Sequence, residues 1–313
     1  MNLIRGLHNL KQQQGAVVTI GNFDGVHIGH QKIIARLIEK SKEMGVPSVL
    51  ISFIPTPQSF FNRPQASLSS FKEKHHLLSA LGLDTHLIIH FNKEFAQLKA
   101  PDFVQKILVE QLNIKHCLIG DDFRFGKDRA GDFALLQNLA KTHHFSVEKI
   151  PSILCENNHR VSSSNIRTYL KQGELHPAAQ MLGREFAITG QIIHGLKNGR
   201  KIGFPTINLP IKRKISPIHG IFAVTVEIEG KTHQGVCNIG NRPIIGGKKT
   251  LLEVFLFDFN RVVYGLKATT TFKHKIRNEA NFDDFETLKQ QIQLDVNDAK
   301  NYFNQRRPLH KYE

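Results

Sequence analysis

The chain has 313 residues, 40% hydrophobic and 22% charged, and 42 Lys and Arg against 27 Asp and Glu give a formal net charge of +15. That balance suits a folded chain long enough for two domains and excludes a disordered one. No apolar run can span a bilayer, the opening MNLIRGLHNLKQQQG lacks a signal-peptide core, and Cys117, Cys155 and Cys237 are too scattered for a CxxC motif or a disulfide framework. So sparse a cysteine set suits a reducing compartment, and a cytoplasmic protein is expected. The basic excess is spread over both halves. It fits nucleic acid, small phosphorylated ligands, or an ordinary solvated surface.

In chain order, AVVTIGNF (16–23) predicts a buried strand. HQKIIARLIEKSKEMG (30–45) predicts a helix with Ile33, Ile34, Leu37 and Ile38 on one face and Gly45 at its end. VPSVLISF (46–53), THLIIHF (85–91) and KHCLIGDD (115–122) predict further strands. KEKHHLLSALG (72–82), PDFVQKILVEQL (101–112) and FALLQNLAKTHH (133–144) predict helices between and after them. Apolar strands alternating with helices imply a parallel sheet covered on both faces.

The period then changes. In FAVTVEIE (222–229), Phe222, Val224, Val226 and Ile228 alternate with small or polar residues, as in a half-buried strand. LLEVFLFDF (251–259) and LKATTTFK (266–273) predict two more strands around a turn at Asn260. FPTINLP (204–210), with its two prolines, predicts only a short edge segment. These strands suggest a small antiparallel barrel. Phe285, Leu288, Ile292, Val296, Ala299 and Phe303 mark a closing amphipathic helix with Asp283 or Asp284 as cap. The switch of period near HPAAQMLGREF (176–186) places a domain boundary between residues 182 and 183.

No GxGxxG follows the first strand, and GDDFRFGKD (120–128) fails the Walker A spacing. TIGNFDGVHIGH (19–30) offers another phosphate site. Gly21, Gly25 and Gly29 permit a tight turn and close approach, and a helix N-terminus favours an anion. His27 and His30, three apart, present both rings on one side of a first turn, where they can donate to a phosphoryl group. Two surface histidines or a metal pair are the alternatives. A strand before and an amphipathic helix after favour the phosphate. In RVSSSNIRTYL (160–170), three consecutive serines, Ser162, Ser163 and Ser164, precede a helical stretch with Arg167 one turn on, so hydroxyls, amides and a guanidinium can converge on phosphate oxygens. A plain cap with a solvated arginine is the alternative.

The second half has a basic glycine-rich loop, HGLKNGRKIGFPTINLP (194–210). Gly195, Gly199 and Gly203 alternate with Lys197, Arg200 and Lys201. Such a loop can close over phosphates or be a solvated hairpin. Thr206 and Asn208 are two apart, so on an extended segment their oxygens point the same way. Glu253 interrupts the apolar run Leu251–Phe257. Its carboxylate faces either water or a ligand, and as a general base it could take a proton from an attacking hydroxyl.

GNFDGVHIGH, GDDFRFG (120–126) and VSSSNIR together resemble the adenylyltransferase module of the bifunctional bacterial riboflavin kinase/FMN adenylyltransferase (FAD synthetase) family, of the HxGH nucleotidylyltransferase type. GRKIGFPTIN, GIFAV (220–224), NIGNRP (238–243), LLEVFLFDF and KIRNEANFD (275–283) resemble its riboflavin kinase module. The resemblance implies a Rossmann-like α/β domain with a parallel sheet over residues 1–182, then a small antiparallel β-barrel with a terminal helix over 183–313. It implies that riboflavin is phosphorylated to FMN with Mg2+ and ATP, and that FMN is adenylylated to FAD with release of pyrophosphate. His27 and His30 would stabilise the α-phosphate. Gly21, Phe23, Gly25, Ser163, Ser164 and Arg167 would hold ATP in the first module, and Gly199, Lys201 and Thr206 in the second. Thr206 and Asn208 would be the metal ligands, Glu253 the base that activates the riboflavin 5′-hydroxyl, and Asp122, Phe123 and Arg277 flavin contacts. The chain departs from the family pattern at Ile54 and Thr56, within Phe53–Pro57, and at Ile207, where the family has Pro-Thr-Ala-Asn. These departures motivate a narrower alternative in which one module alone is active. Riboflavin, FMN and ATP are the expected partners, with no membrane and no nucleic acid. A basic nucleic-acid-binding protein is the rival of a different class, supported by the net charge alone.

Overall fold

The computed structural model describes residues 1–10, 15–155, 158–195, 198–201, 203–213, 215–244 and 247–305. The chain divides into two compact units, residues 1–65 with 69–163, and residues 66–68 with 164–313. This division falls at Ser163/Ser164, ahead of the change of period near residue 182.

The first unit contains β1 (Asn2–Arg5), β2 (Ala16–Ile20), α1 (Ile28–Met44), β3 (Ser48–Ile54), α2 (Pro57–Phe60), α3 (Phe71–Ala80), β4 (Thr85–His90), α4 (Lys93–Ala96), α5 (Ala100–Phe103), β5 (Ile114–Gly120), α6 (Phe133–Thr142) and β6 (Ser146–Ile150). Its strands form one parallel sheet in the order β1-β4-β3-β2-β5-β6. Strand alternation explains why both faces are buried. Ala16, Val18, Ile20, Val49 and Ile51 pack with Phe103, Val104, Ile107 and Leu136 on one face. Val17, Leu50 and Leu118 pack with Ile34, Leu37 and Leu78 on the other. The predicted helix over 101–112 begins as α5 and widens into a π-helical stretch over Val104–Val109. β1 and β6 were not legible in the sequence because they are short, largely exposed edge strands with no apolar alternation.

Strand order places the reactive edge. From β2 the chain builds outward through β3 and β4, then crosses back to β5 on the other side of β2. The topological switch point therefore lies between the carboxyl ends of β2 and β5, where open α/β sheets bind ligands. GNFDGVHIGH follows β2, and GDDFRFG follows β5.

The second unit contains most of α7 (Ser163–Gln172), α8 (Leu175–Leu182), β7 (Ala187–Gln191), α9 (Asn198–Lys201), β8 (Thr206–Pro210), β9 (Gly220–Ile228), β10 (Lys231–Ile244), β11 (Gly247–Leu256), β12 (Lys267–Arg277) and α10 (Phe285–Gln305). The strands run antiparallel in the order β7-β12-β9-β10-β11-β8. The Ile193 N–H donates to Asn208 O at 2.9 Å, bringing the segment after β7 against β8 and nearly closing a barrel. FPTINLP is an edge strand, as its prolines predict. β9 is buried on both faces over Gly220–Val224, deeper than its alternation suggests. The cause is α10: its Val296, Ala299 and Phe303 cover Ile221, Ala223 and Val236. Asp284 caps α10, its Oδ1 accepting from the Thr287 amide at 2.8 Å.

Candidate active sites

In the first unit, α1 starts at Ile28, slightly before the predicted start, because His27 is its N-cap. His27 Nδ1 accepts from the His30 amide at 3.3 Å, so a neutral His27 carries its proton on Nε2. The His27 and His30 rings stack with centroids 3.5 Å apart. Burial first, then the charges of His27 and Lys74, hold the His30 imidazole well below the ordinary histidine range. His30 is therefore neutral at pH 7, and its buried Nδ1 has no hydrogen-bond partner among the described residues.

The turn ahead of these rings is strained. Phe23 and Val26 both take positive φ, 49° and 43°, and Gly25 sits at φ 81°, where its lack of a Cβ is needed. Phe23 is buried and packs on His30, ring centroids 4.7 Å apart. The Gly21 amide donates to Ile51 O and the Gly25 amide to Ser69 Oγ, so these glycines shape the turn through its backbone. Ser69 also donates to Asp24 Oδ1 from its amide and its hydroxyl. Ser163 Oγ donates to Asp24 O at 2.9 Å, which joins the serine motif to the turn. Ser164 and Arg167 belong to the second unit, where Arg167 Nε donates to Ala66 O at 2.6 Å.

At the end of β5, Asp122 is largely exposed and lies 3.2 Å from Arg160, which also pairs with Asp121 at 2.8 Å. Phe123 stacks on Phe125. A further aromatic group, beyond the residues to which the sequence motifs point, lies at this carboxyl edge. Phe60 meets Phe61 and Phe91 at centroid distances of 5.1 and 5.3 Å, and Phe61 is 58% exposed. Its sequence signal was the PQSFF run just after β3.

In the second unit, Gly199, Thr206, Asn208, Glu253 and Arg277 all line one cavity of about 280 Å³. Strand register explains the convergence. Asn208 of β8, Glu253 of β11 and Asn238 of β10 are successive cross-strand partners, so their side chains share one face. Asn208 is 5% exposed, and its buried Oδ1 has no hydrogen-bond partner among the described residues. Glu253 is half-buried on the cavity wall. Gly199 approaches the Phe204 carbonyl so closely that a Cβ would fall 2.3 Å from that oxygen. Arg277 forks onto Asp295 of α10, Nε to Oδ1 and Nη2 to Oδ2, both at 2.7 Å, and its guanidinium lies 5.7 Å from the Phe282 ring centroid. Asn238 and Asp295 carry no local sequence signal because their roles come from register and helix docking. Lys197 and the Lys201 side chain lie outside the described residues.

A helix-capped histidine pair at the switch point of a parallel sheet, and a separate polar cavity on an antiparallel near-barrel, define a two-module transferase of phosphorus-containing groups. The family model for FAD synthetase matches residues 9–165, and that for riboflavin kinase matches residues 182–303. The chain is 43% identical over 309 residues to the bifunctional riboflavin kinase/FMN adenylyltransferase of Haemophilus influenzae, covering 97% of this chain and 100% of the relative. It is 41% identical over 313 residues to that of Escherichia coli K12, covering 98% and 100%. A crystal structure described as a macrolide-efflux protein from Streptococcus pneumoniae shares the fold, with TM-score 0.81 and 26% identity over 96% of this chain and 99% of that one. The chain belongs to the bifunctional riboflavin kinase/FMN adenylyltransferase family.

Proposed function

We propose that residues 183–313 phosphorylate riboflavin to FMN and that residues 1–182 adenylylate FMN to FAD, both with ATP. The observation that carries this reading is the convergence of Thr206, Asn208, Glu253 and Arg277 on one cavity, apart from the histidine pair of the other unit.

In the kinase step, Glu253 accepts the proton of the riboflavin 5′-hydroxyl as that oxygen attacks the γ-phosphorus, and ADP leaves. Gly199 and Lys201 hold phosphate, and Arg277 lines the flavin side, fixed by Asp295. The orphaned, buried Asn208 Oδ1 beside Thr206 suits a hard cation that prefers oxygen. These two residues would hold Mg2+, which neutralises phosphate charge when bound.

In the second step, an oxygen of the FMN phosphate attacks the α-phosphorus of ATP in line, and pyrophosphate leaves. His27 and the neutral His30 donate hydrogen bonds to the α-phosphoryl oxygens as charge builds. Gly21, Phe23 and Gly25 shape the turn that receives the phosphates, while Ser163, Ser164 and Arg167 serve the outer ones. Asp122 and Phe123 face the flavin, and the rings of Phe60, Phe61 and Phe91 offer it a stacking surface.

No helix among the described residues is long and apolar enough to cross a membrane. The partners in this reading are small molecules in the cytoplasm, and neither nucleic acid nor membrane takes part. The test is incubation of the protein with riboflavin, ATP and Mg2+, with flavins resolved by chromatography. Both FMN and FAD are expected, and absence of both would overturn the reading.

A further inference from the structure

Lys74 occupies the first turn of α3, four residues after its Ser70 N-cap, yet it is only 9% exposed. Two physical costs attend that placement. Lysine is among the residues least often buried, because its ammonium is expensive to desolvate. A cation near a helix N-terminus also opposes the helix dipole. Glu73 favours that end of the helix, but its carboxylate accepts from the Ser70 amide in a capping box. When a residue breaks local rules twice, the compensation is sought elsewhere.

Here the compensation lies in the phosphate turn. Lys74 Nζ donates to the Asn22 carbonyl at 2.9 Å, across 52 residues of sequence. Asn22 precedes Phe23 and Asp24, and Ser69, just before α3, holds Asp24 and the Gly25 amide. The start of α3 thus braces the turn at Asn22, Asp24 and Gly25. The Lys74 charge is also felt at His30 and at His86.

We infer that Lys74 is a positioning residue for adenylyl transfer: it fixes the Asn22 carbonyl of the phosphate turn and sets a positive charge behind the His27–His30 pair, opposite the charge of a bound triphosphate. This rests on the proposed adenylyltransferase reading. The groups that set the local field are His27, Lys74 and the Phe23 ring around His30, and Asp24, His30 and His86 around Lys74. His75 and Ser52 in turn stand against His86. Removing the Lys74 charge relieves one of the effects that disfavour protonation of His30. The acid limb of the adenylyl-transfer rate profile then moves to higher pH.

The test uses the full chain, wild type, Lys74→Met and Lys74→Arg. FAD formation from FMN and ATP is measured across pH, and FMN formation from riboflavin serves as the internal control. Lys74→Met should lower kcat/KM for ATP roughly tenfold or more, shift the acid limb upward and leave FMN formation unchanged. Lys74→Arg should keep the acid limb near its wild-type position and retain more FAD formation than Lys74→Met. Unchanged kcat/KM in Lys74→Met would overturn the inference. So would a loss of rate with an unmoved acid limb, which marks a mere strut. Where Lys74→Met unfolds the first unit by circular dichroism, Lys74→Arg decides: a folded Arg variant as inactive as the Met variant overturns the inference. Wild-type protein that makes FMN but no FAD would instead sink the adenylyltransferase reading, and this inference with it.

Discussion

The fork between Arg277 and Asp295 permits a quantitative prediction for Asp295→Ala. Asp295 is 3% exposed, and both its oxygens accept from the guanidinium at 2.7 Å, with Gln291 adding a third bond at 3.1 Å. Deleting one partner of a buried ion pair leaves the other charge uncompensated, at a cost of roughly 3–5 kcal/mol. The Arg277 side chain is 23% exposed. Water can therefore reach it, which favours the lower end, about 3 kcal/mol. For a unit of this size that corresponds to a fall in melting temperature of roughly 10 °C. Arg277 also lines the kinase cavity, so the loosened guanidinium should raise KM for riboflavin while FAD formation from FMN is unaffected. Scanning calorimetry and the two separate assays measure these effects. A shift under about 2 °C with an unchanged riboflavin KM would refute the reasoning, because the fork would then be neither a buried constraint nor part of the flavin wall. A double replacement, Arg277→Met with Asp295→Leu, should regain most of the stability and none of the riboflavin affinity.

Three other predictions follow the same logic. His30→Ala should cut FAD formation by about a hundredfold or more and leave FMN formation intact, whereas Glu253→Ala should do the reverse; the two half-reactions, assayed separately, check both. Gly199→Ala should impair the kinase step, because its Cβ would sit 2.3 Å from Phe204 O, and the effect should show in KM for ATP. The stability of the first unit should fall on acidification. Burial, then Lys74 and His75, push His86 down to about 3, and His116 and His30 are also lowered. An unfolded histidine binds a proton near pH 6.5, while the fold refuses it until the lower folded value. The stability conferred by neutral His86 is therefore complete above about pH 6.5 and declines toward pH 3, by roughly 2 kcal/mol already at pH 5. Urea midpoints between pH 7 and 5 measure this, and a flat profile would contradict it.

Much of this architecture was legible in the sequence because it rests on short-range rules. The period of two in Phe222–Ile228, the helical stripe ending at Phe303 and the strand–glycine–histidine run of residues 16–30 each specify local structure. The prolines of FPTINLP marked an edge strand. What escaped notice depends on long-range geometry. Asp295 matters because α10 docks over β9 and β12, and no spacing relates it to Arg277. Lys74 reads as an exposed helix residue until α3 is packed against the phosphate turn. The Phe60, Phe61 and Phe91 rings lie on separate segments that meet only because β3 and β4 are parallel neighbours. Register aligned Asn238 with Glu253, and a one-residue slip would have turned it to the opposite face.

The central claim is that each half-reaction has its own site, one in each unit. Mixing the His30→Ala and Glu253→Ala proteins with riboflavin and ATP tests it most directly. Neither variant alone should convert riboflavin to FAD, and the mixture should do so after a lag in which FMN accumulates. A mixture that stays silent because either folded variant has lost both half-reactions would contradict the account.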